Sequence, residues 1–88
     1  SPYEDISVFG EDKITFSAQN ARLGTLLHSI SELSGLNLII DKDVDAQMPI
    51  TISVNETDIE EVLKIIMDIS GCYYRLKGNI IHVKCFMR

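Results

Sequence analysis

Slid 36 residues along itself, the chain repeats. Ile14-Thr15-Phe16-Ser17 then falls on Ile50-Thr51-Ile52-Ser53, and without a gap Leu27 meets Leu63, Ile30 meets Ile66 and Ser34-Gly35 meets Ser70-Gly71. Seven of the 27 positions from Ile14 to Ile40 are identical to their partners. Two copies are too few for a solenoid, which needs about three or more units to bury a continuous core. The 88 residues therefore predict one small domain made from a duplicated strand–helix–strand unit. That is near the lower size at which a single core holds without help.

Each copy follows the same script. Ile14 to Gln19 alternates apolar and polar residues, the pattern of a half-buried strand. Asn20 then reads as a helix N-cap, and Leu23, Leu26, Leu27, Ile30 and Leu33 follow at helical spacing, with Gly35 at the expected left-handed cap. Leu36 to Ile40 reads as a short strand, and residues 41–49 as a polar loop closed by Pro49. In the second copy Ile50 to Val54 alternates again. Thr57 with Glu60 reads as a capping box, and Asp58, Glu60 and Glu61 suit the positive end of a helix. The apolar positions of this second helix, Ile59 to Ile69, cover about 200° of its wheel, far more than in the first. A second layer must lie over it, from the core or from a partner. Residues 1–13, with Ile6, Val8 and Phe9, are expected to be a flexible lead-in or an extra strand; 14–85 form the domain and 86–88 a tail. Beginning at Ser1-Pro2 with an acidic run, the chain is expected to be part of a longer one.

The last segment fixes its own register. Gly78-Asn79 is a two-residue hairpin loop with glycine at the first central position, as a type II′ turn requires. Leu76 then faces Ile81, Tyr74 faces Val83 and Cys72 faces Cys85 on one side. The other side carries Tyr73, Arg75, Lys77, Ile80, His82 and Lys84. A slip of one residue would bury the charges. Cys72 and Cys85 form a non-hydrogen-bonded pair, with Cα atoms about 4.5 Å apart and within disulfide reach. They are disulfide candidates; the alternative is two small buried hydrophobes.

Charge is divided unevenly. All 13 carboxylates lie in residues 1–71 with four basic residues, whereas 72–88 hold Arg75, Lys77, Lys84 and Arg88 and no acid. The overall net charge of −5 argues against nucleic acid, whose phosphates demand a broad basic surface, and no Gly-x-x-Gly loop suggests an RNA-binding KH domain. No stretch approaches the roughly 20 apolar residues of a membrane span, so no direct membrane insertion is expected. His28 and His82 lie in different elements with no nucleophile at motif spacing. Asp41, Asp43 and Asp45 lack the glycine and glutamate of a calcium loop. No enzyme, metal site or cofactor is expected.

In order and spacing, the segment from Ile14 to Val44 and that from Ile50 to Val83 resemble the short N-terminal domain shared by secretins and TonB-dependent transducers. The marks are Gln19-Asn20-Ala21, Leu26-Leu27, Ser34-Gly35-Leu36-Asn37 entering Ile39-Ile40-Asp41, then Val62-Leu63, Ile66, Gly71, Tyr74 and Gly78-Asn79-Ile80-Ile81. The Asp41-Lys42-Asp43-Val44 run and Ile50 to Val54 resemble the secretin form more closely. Cys72, Ile65 and Met67 depart from the pattern. The resemblance implies an α+β fold of order βαββαββ, with two helices packed between a two-stranded and a three-stranded sheet. It also implies a periplasmic home, in an outer-membrane channel for type IV pilus assembly or protein secretion. There the domain would dock onto inner-membrane assembly proteins and onto neighbouring secretin subunits in a homo-oligomeric ring. The alternative it implies is the signalling domain of a transducer receptor that contacts a sigma-factor regulator. Tyr73, Arg75, Lys77, His82 and Lys84 are the partner-contact candidates, facing an acidic surface.

Overall fold

The computed structural model describes residues 8–86. Its elements run β1 (Lys13–Arg22), α1 (Leu23–Ser34), β2 (Asn37–Ile40), β3 (Pro49–Asp58), α2 (Ile59–Ser70), β4 (Cys72–Lys77) and β5 (Ile80–Cys85). This is the βαββαββ order. β1 and β3 make a two-stranded antiparallel sheet, and β2-β5-β4 make a three-stranded one. The helices lie side by side, α1 against β1 and β2, α2 against β3 and β4.

The repeat becomes a local twofold in the first sheet. Ser17 stands opposite Ser53, 36 residues on, and their hydroxyls are 2.9 Å apart. On either side of this pair the ladder slips once. One slip leaves an extra residue in β1 and the other an extra residue in β3. Among the described residues the two non-glycine residues with positive φ, Asn20 (55°) and Glu56 (50°), sit at those bulges and are themselves 36 apart. Each bulge amide is taken by a threonine of the opposite strand: Asn20 N–H donates to Thr51 Oγ1 (3.1 Å) and Glu56 N–H to Thr15 Oγ1 (2.8 Å). The repeated Ile-Thr-x-Ser is thus a bulge-and-axis motif. A bulge adds twist and bend to a strand.

Here the sequence expectations need correction. Asn20 is not an N-cap but the bulge residue, and both long strands run on into their helices without a loop. Arg22 and Asp58 occupy the N-cap positions, and neither side chain caps. Thr57 stays in β3 with its hydroxyl on the Asn55 carbonyl, so the Thr57/Glu60 capping box does not form. Asp58 is drawn instead to Lys13, whose Nζ lies 2.8 Å away. At α1 the first amides go to backbone: Leu23 N–H to Met48 O (2.9 Å) and Gly24 N–H to Ala46 O (2.8 Å). The polar loop 41–48 is therefore the cap of α1, pinned by buried Val44. Gly24 allows that approach, since a Cβ there would lie 3.1 Å from Ala46 Cβ. At the C-termini, Gly35 and Gly71 adopt the left-handed conformation and return their N–H groups to Ser31 and Met67 carbonyls.

The core explains the wide apolar face of α2. Ile59, Val62, Leu63, Ile66 and Met67 are buried against both sheets and α1, with Leu23, Leu26, Leu27 and Ile30 of α1 and Ile81 and Val83 of β5. Ile69 remains 48% exposed, and Leu33 at the equivalent place in α1 59%. Of the lead-in, Ile6 lies outside the described residues. Val8 and Phe9 form a turn rather than a strand, and Phe9 is buried edge-on to Tyr74 with ring centroids 6.0 Å apart.

The bulges generate a test. A non-glycine residue at positive φ is strained, most of all a β-branched one. Glu56→Gly is expected to leave unfolding free energy unchanged or raise it by up to about 1 kcal/mol, and Glu56→Ile to lower it by about 1–3 kcal/mol. Urea denaturation checks both; equal midpoints for the two variants would refute the bulge assignment.

Candidate functional site

The β4–β5 hairpin builds the most distinctive surface. Gly78 has φ 58° and Asn79 is not among the residues with positive φ, the type II′ pattern. The register pairs Cys72 with Cys85, Tyr73 with Lys84, Arg75 with His82 and Lys77 with Ile80. All five contact candidates therefore share the outer face. Arg75 and Lys77 are exposed, and Tyr73, His82 and Lys84 half-buried. On the inner face Ile81 and Val83 are fully buried, while Leu76 near the turn is 38% exposed.

Sequence reasoning missed two members of this face. β2 runs parallel to β5, setting Ile39 beside His82 and Asn37 beside Ile80, so Ile39, 46% exposed, extends the face on its far side. Phe86, past the end of β5, leans on Tyr73 with centroids 5.0 Å apart. Alternation in the hairpin could not reveal Ile39, because the partner of β2 is not readable from a four-residue run. The face thus mixes three cations with Ile39, Ile80, Tyr73 and Phe86.

His82 is less available than its neighbours. Its Nε2 is shielded from solvent without a hydrogen-bond partner among the described residues, 3.8 Å from Asp41 Oδ1. A second loop carboxylate serves the backbone: Asp45 Oδ1 accepts from Gln47 N–H at 3.0 Å. Among the described residues no group of three or more His, Cys, Asp or Glu converges as a metal site would.

Cys72 and Cys85 are joined in a disulfide, Cα atoms 4.0 Å apart, closing the hairpin at its open end. On the buried side of β4, Tyr74 donates its hydroxyl to Glu60 Oε2 at 3.4 Å. Burial first, then the charge of Glu60, raises the Tyr74 phenol above its ordinary value of 10.0.

Two shallow grooves flank the sheets. One, about 340 Å³, lies between β1 and α1 and is lined by Ile14, Phe16, Leu26, Ile30 and Leu33 with Ser29 at its side. The other, about 390 Å³, lies between β4 and α2 beside Lys64, Met67, Cys72 and Tyr74. The site is therefore a mixed cationic and apolar sheet face, with β2 and β4 as the edge strands among the described residues, which is the geometry of a binding surface.

Comparison with known proteins then places the chain. It belongs to the family described as "FecR, C-terminal", whose model matches residues 13–83. A crystal structure of a candidate anti-sigma factor from Parabacteroides distasonis ATCC 8503 superposes with a TM-score of 0.75 at 16% identity, covering 85% of this chain. At that identity the likeness is one of fold, and the chain spans only 35% of that protein. No curated protein sequence matches.

The family match overturns the secretin reading. The channel role in pilus assembly or secretion, the docking onto inner-membrane assembly proteins and the ring of secretin subunits fall with it, as does the alternative of a transducer receptor's own signalling domain. The reason lies in what the quoted marks do here. Leu26-Leu27, Val62-Leu63 and Ile66 are core, Gly35 and Gly71 are helix caps, and Gly78-Asn79 is a turn. They specify a frame and leave its use open.

Two measurements follow. Replacing both cysteines by serine is expected to cost roughly 2–4 kcal/mol of stability, as a disulfide closing a short loop would; an unchanged urea midpoint would count against the bond. Because the phenol of Tyr74 is raised in the folded state, its contribution is complete below about pH 10 and lost as pH rises through the folded value. Tyr74→Phe should therefore flatten the alkaline fall in stability, and an unchanged alkaline limb would contradict the assignment.

Proposed function

We propose that this chain is a non-catalytic, partner-recognition domain at the C-terminal side of an anti-sigma-type signalling regulator. The observation that carries the reading is the family match over residues 13–83, supported by the fold shared with a candidate anti-sigma factor. The outer sheet face supplies the means. Arg75, Lys77 and Lys84 lie on one side of the hairpin with Tyr73, and residues 72–86 contain no carboxylate. An acidic partner surface would be attracted and oriented by it.

The cysteines support a choice of compartment. Disulfides persist where thiols are oxidised, so the Cys72–Cys85 bond supports a periplasmic setting. Among the described residues no helix is long and apolar enough to cross a membrane. A sulfur bridge inside the hairpin also keeps the recognition face in one shape.

The experiment uses the full-length regulator and a reporter driven by its sigma factor. The double variant Arg75→Glu, Lys77→Glu is expected to keep its circular dichroism and melting temperature while weakening partner pulldown and changing the reporter's response to signal. A reporter that responds normally after the whole domain is deleted would sink the proposal.

A further inference from the structure

Among the described residues β4 has one unpaired edge, which points to a specific way of binding. A two-residue hairpin makes Lys77/Ile80, Arg75/His82 and Tyr73/Lys84 the hydrogen-bonded pairs. The main-chain N–H and C=O groups of Cys72, Tyr74 and Leu76 therefore aim away from β5. Among the described residues β4 pairs with β5 alone, and none of the turn, loop and cap backbone bonds reaches those three. A row of unpaired donors and acceptors is a template for another strand.

The side chains along that edge select what strand it would be. Arg75 and Lys77 stand on the outer side, with Lys84 one strand in, and no carboxylate interrupts them between residues 72 and 86. A second copy pairing through β4 would bring like charges together, which is unfavourable for directly opposed positions. On the other side the groove against α2, lined also by Glu61, Lys64 and Asp68, offers Met67 and Tyr74 to apolar side chains, so an incoming strand's carboxylates belong on the outer side with Arg75 and Lys77. The groove beside β1 is more apolar, but no charge pattern there chooses an occupant. The disulfide holds β4 on β5 before any partner arrives, so little order remains to be imposed on this edge.

We propose that the β4 edge takes an extended acidic segment of a partner protein by strand addition. The incoming backbone bonds to Cys72, Tyr74 and Leu76. Its carboxylates, at alternate positions, lie beside Arg75 and Lys77, and the apolar residues between them turn into the groove against α2. The inference rests on the recognition role above and names the partner's chemistry.

The test is a titration of the ¹⁵N-labelled 88-residue chain with a capped Glu-Val repeat peptide, followed by amide shifts and hydrogen exchange. The expected result is slowed exchange at Cys72, Tyr74 and Leu76. Affinity should fall at least about fivefold in Arg75→Glu, Lys77→Glu, as loss of two exposed ion pairs would give. A peptide N-methylated at alternate amides should not bind. Three results would overturn the proposal: equal binding of a Lys-Val repeat, binding without slowed exchange at those three amides, or protection on β1 instead. Failure here with a reporter that still needs the domain would leave the recognition role standing and remove only the strand-addition mode.

Discussion

The antiparallel pairing of β1 with β3 about Ser17 and Ser53 is the constraint on which the rest of the molecule depends. It sets the two copies face to face, so the helices that follow each strand directly are launched from opposite ends of one sheet. The bulges at Asn20 and Glu56 bend the strands at equivalent points, and the threonine hydroxyls absorb the amides this would strand. Apolar burial between the helices then supplies the driving force, at roughly 25 cal/mol for each Å² removed from water. Leu27 with Leu63 and Ile30 with Ile66 are the repeated pairs that carry it.

The second sheet breaks this symmetry. Its equivalent strands, β2 and β4, are held apart by β5, which runs parallel to one and antiparallel to the other. β5 has no counterpart in the repeat. It brings Ile81 and Val83 to the core and places His82 and Lys84 on the outer face. The strand that is not duplicated thus adds His82 and Lys84 to the surface that Tyr73, Arg75 and Lys77 of β4 begin.

Much of this was legible in the residues. The strand–helix–strand units, the cap at Gly35 and the hairpin register all follow from short-range patterns, because each depends on neighbours within a few positions. What could not be read depends on distant ones. Asn20 looks like a cap by type, yet its conformation is set by Thr51 across the sheet. The loop 41–48 looks like a solvated turn, yet its carbonyls close α1. Ile39 joins the outer face only through parallel pairing. The family was misread for a related reason: core, cap and turn residues record how a chain folds, and the same frame serves different partners.

The bond between Cys72 and Cys85 also decides how the domain carries mechanical load. Any pull on the chain beyond Cys85 passes through the sulfurs to Cys72 and on to the end of α2, bypassing residues 73–84. The hairpin becomes a closed loop outside the line of tension. Without the bond the same pull would peel the central strand out of its sheet; with it, the outer face keeps its shape while the force is borne by the helix.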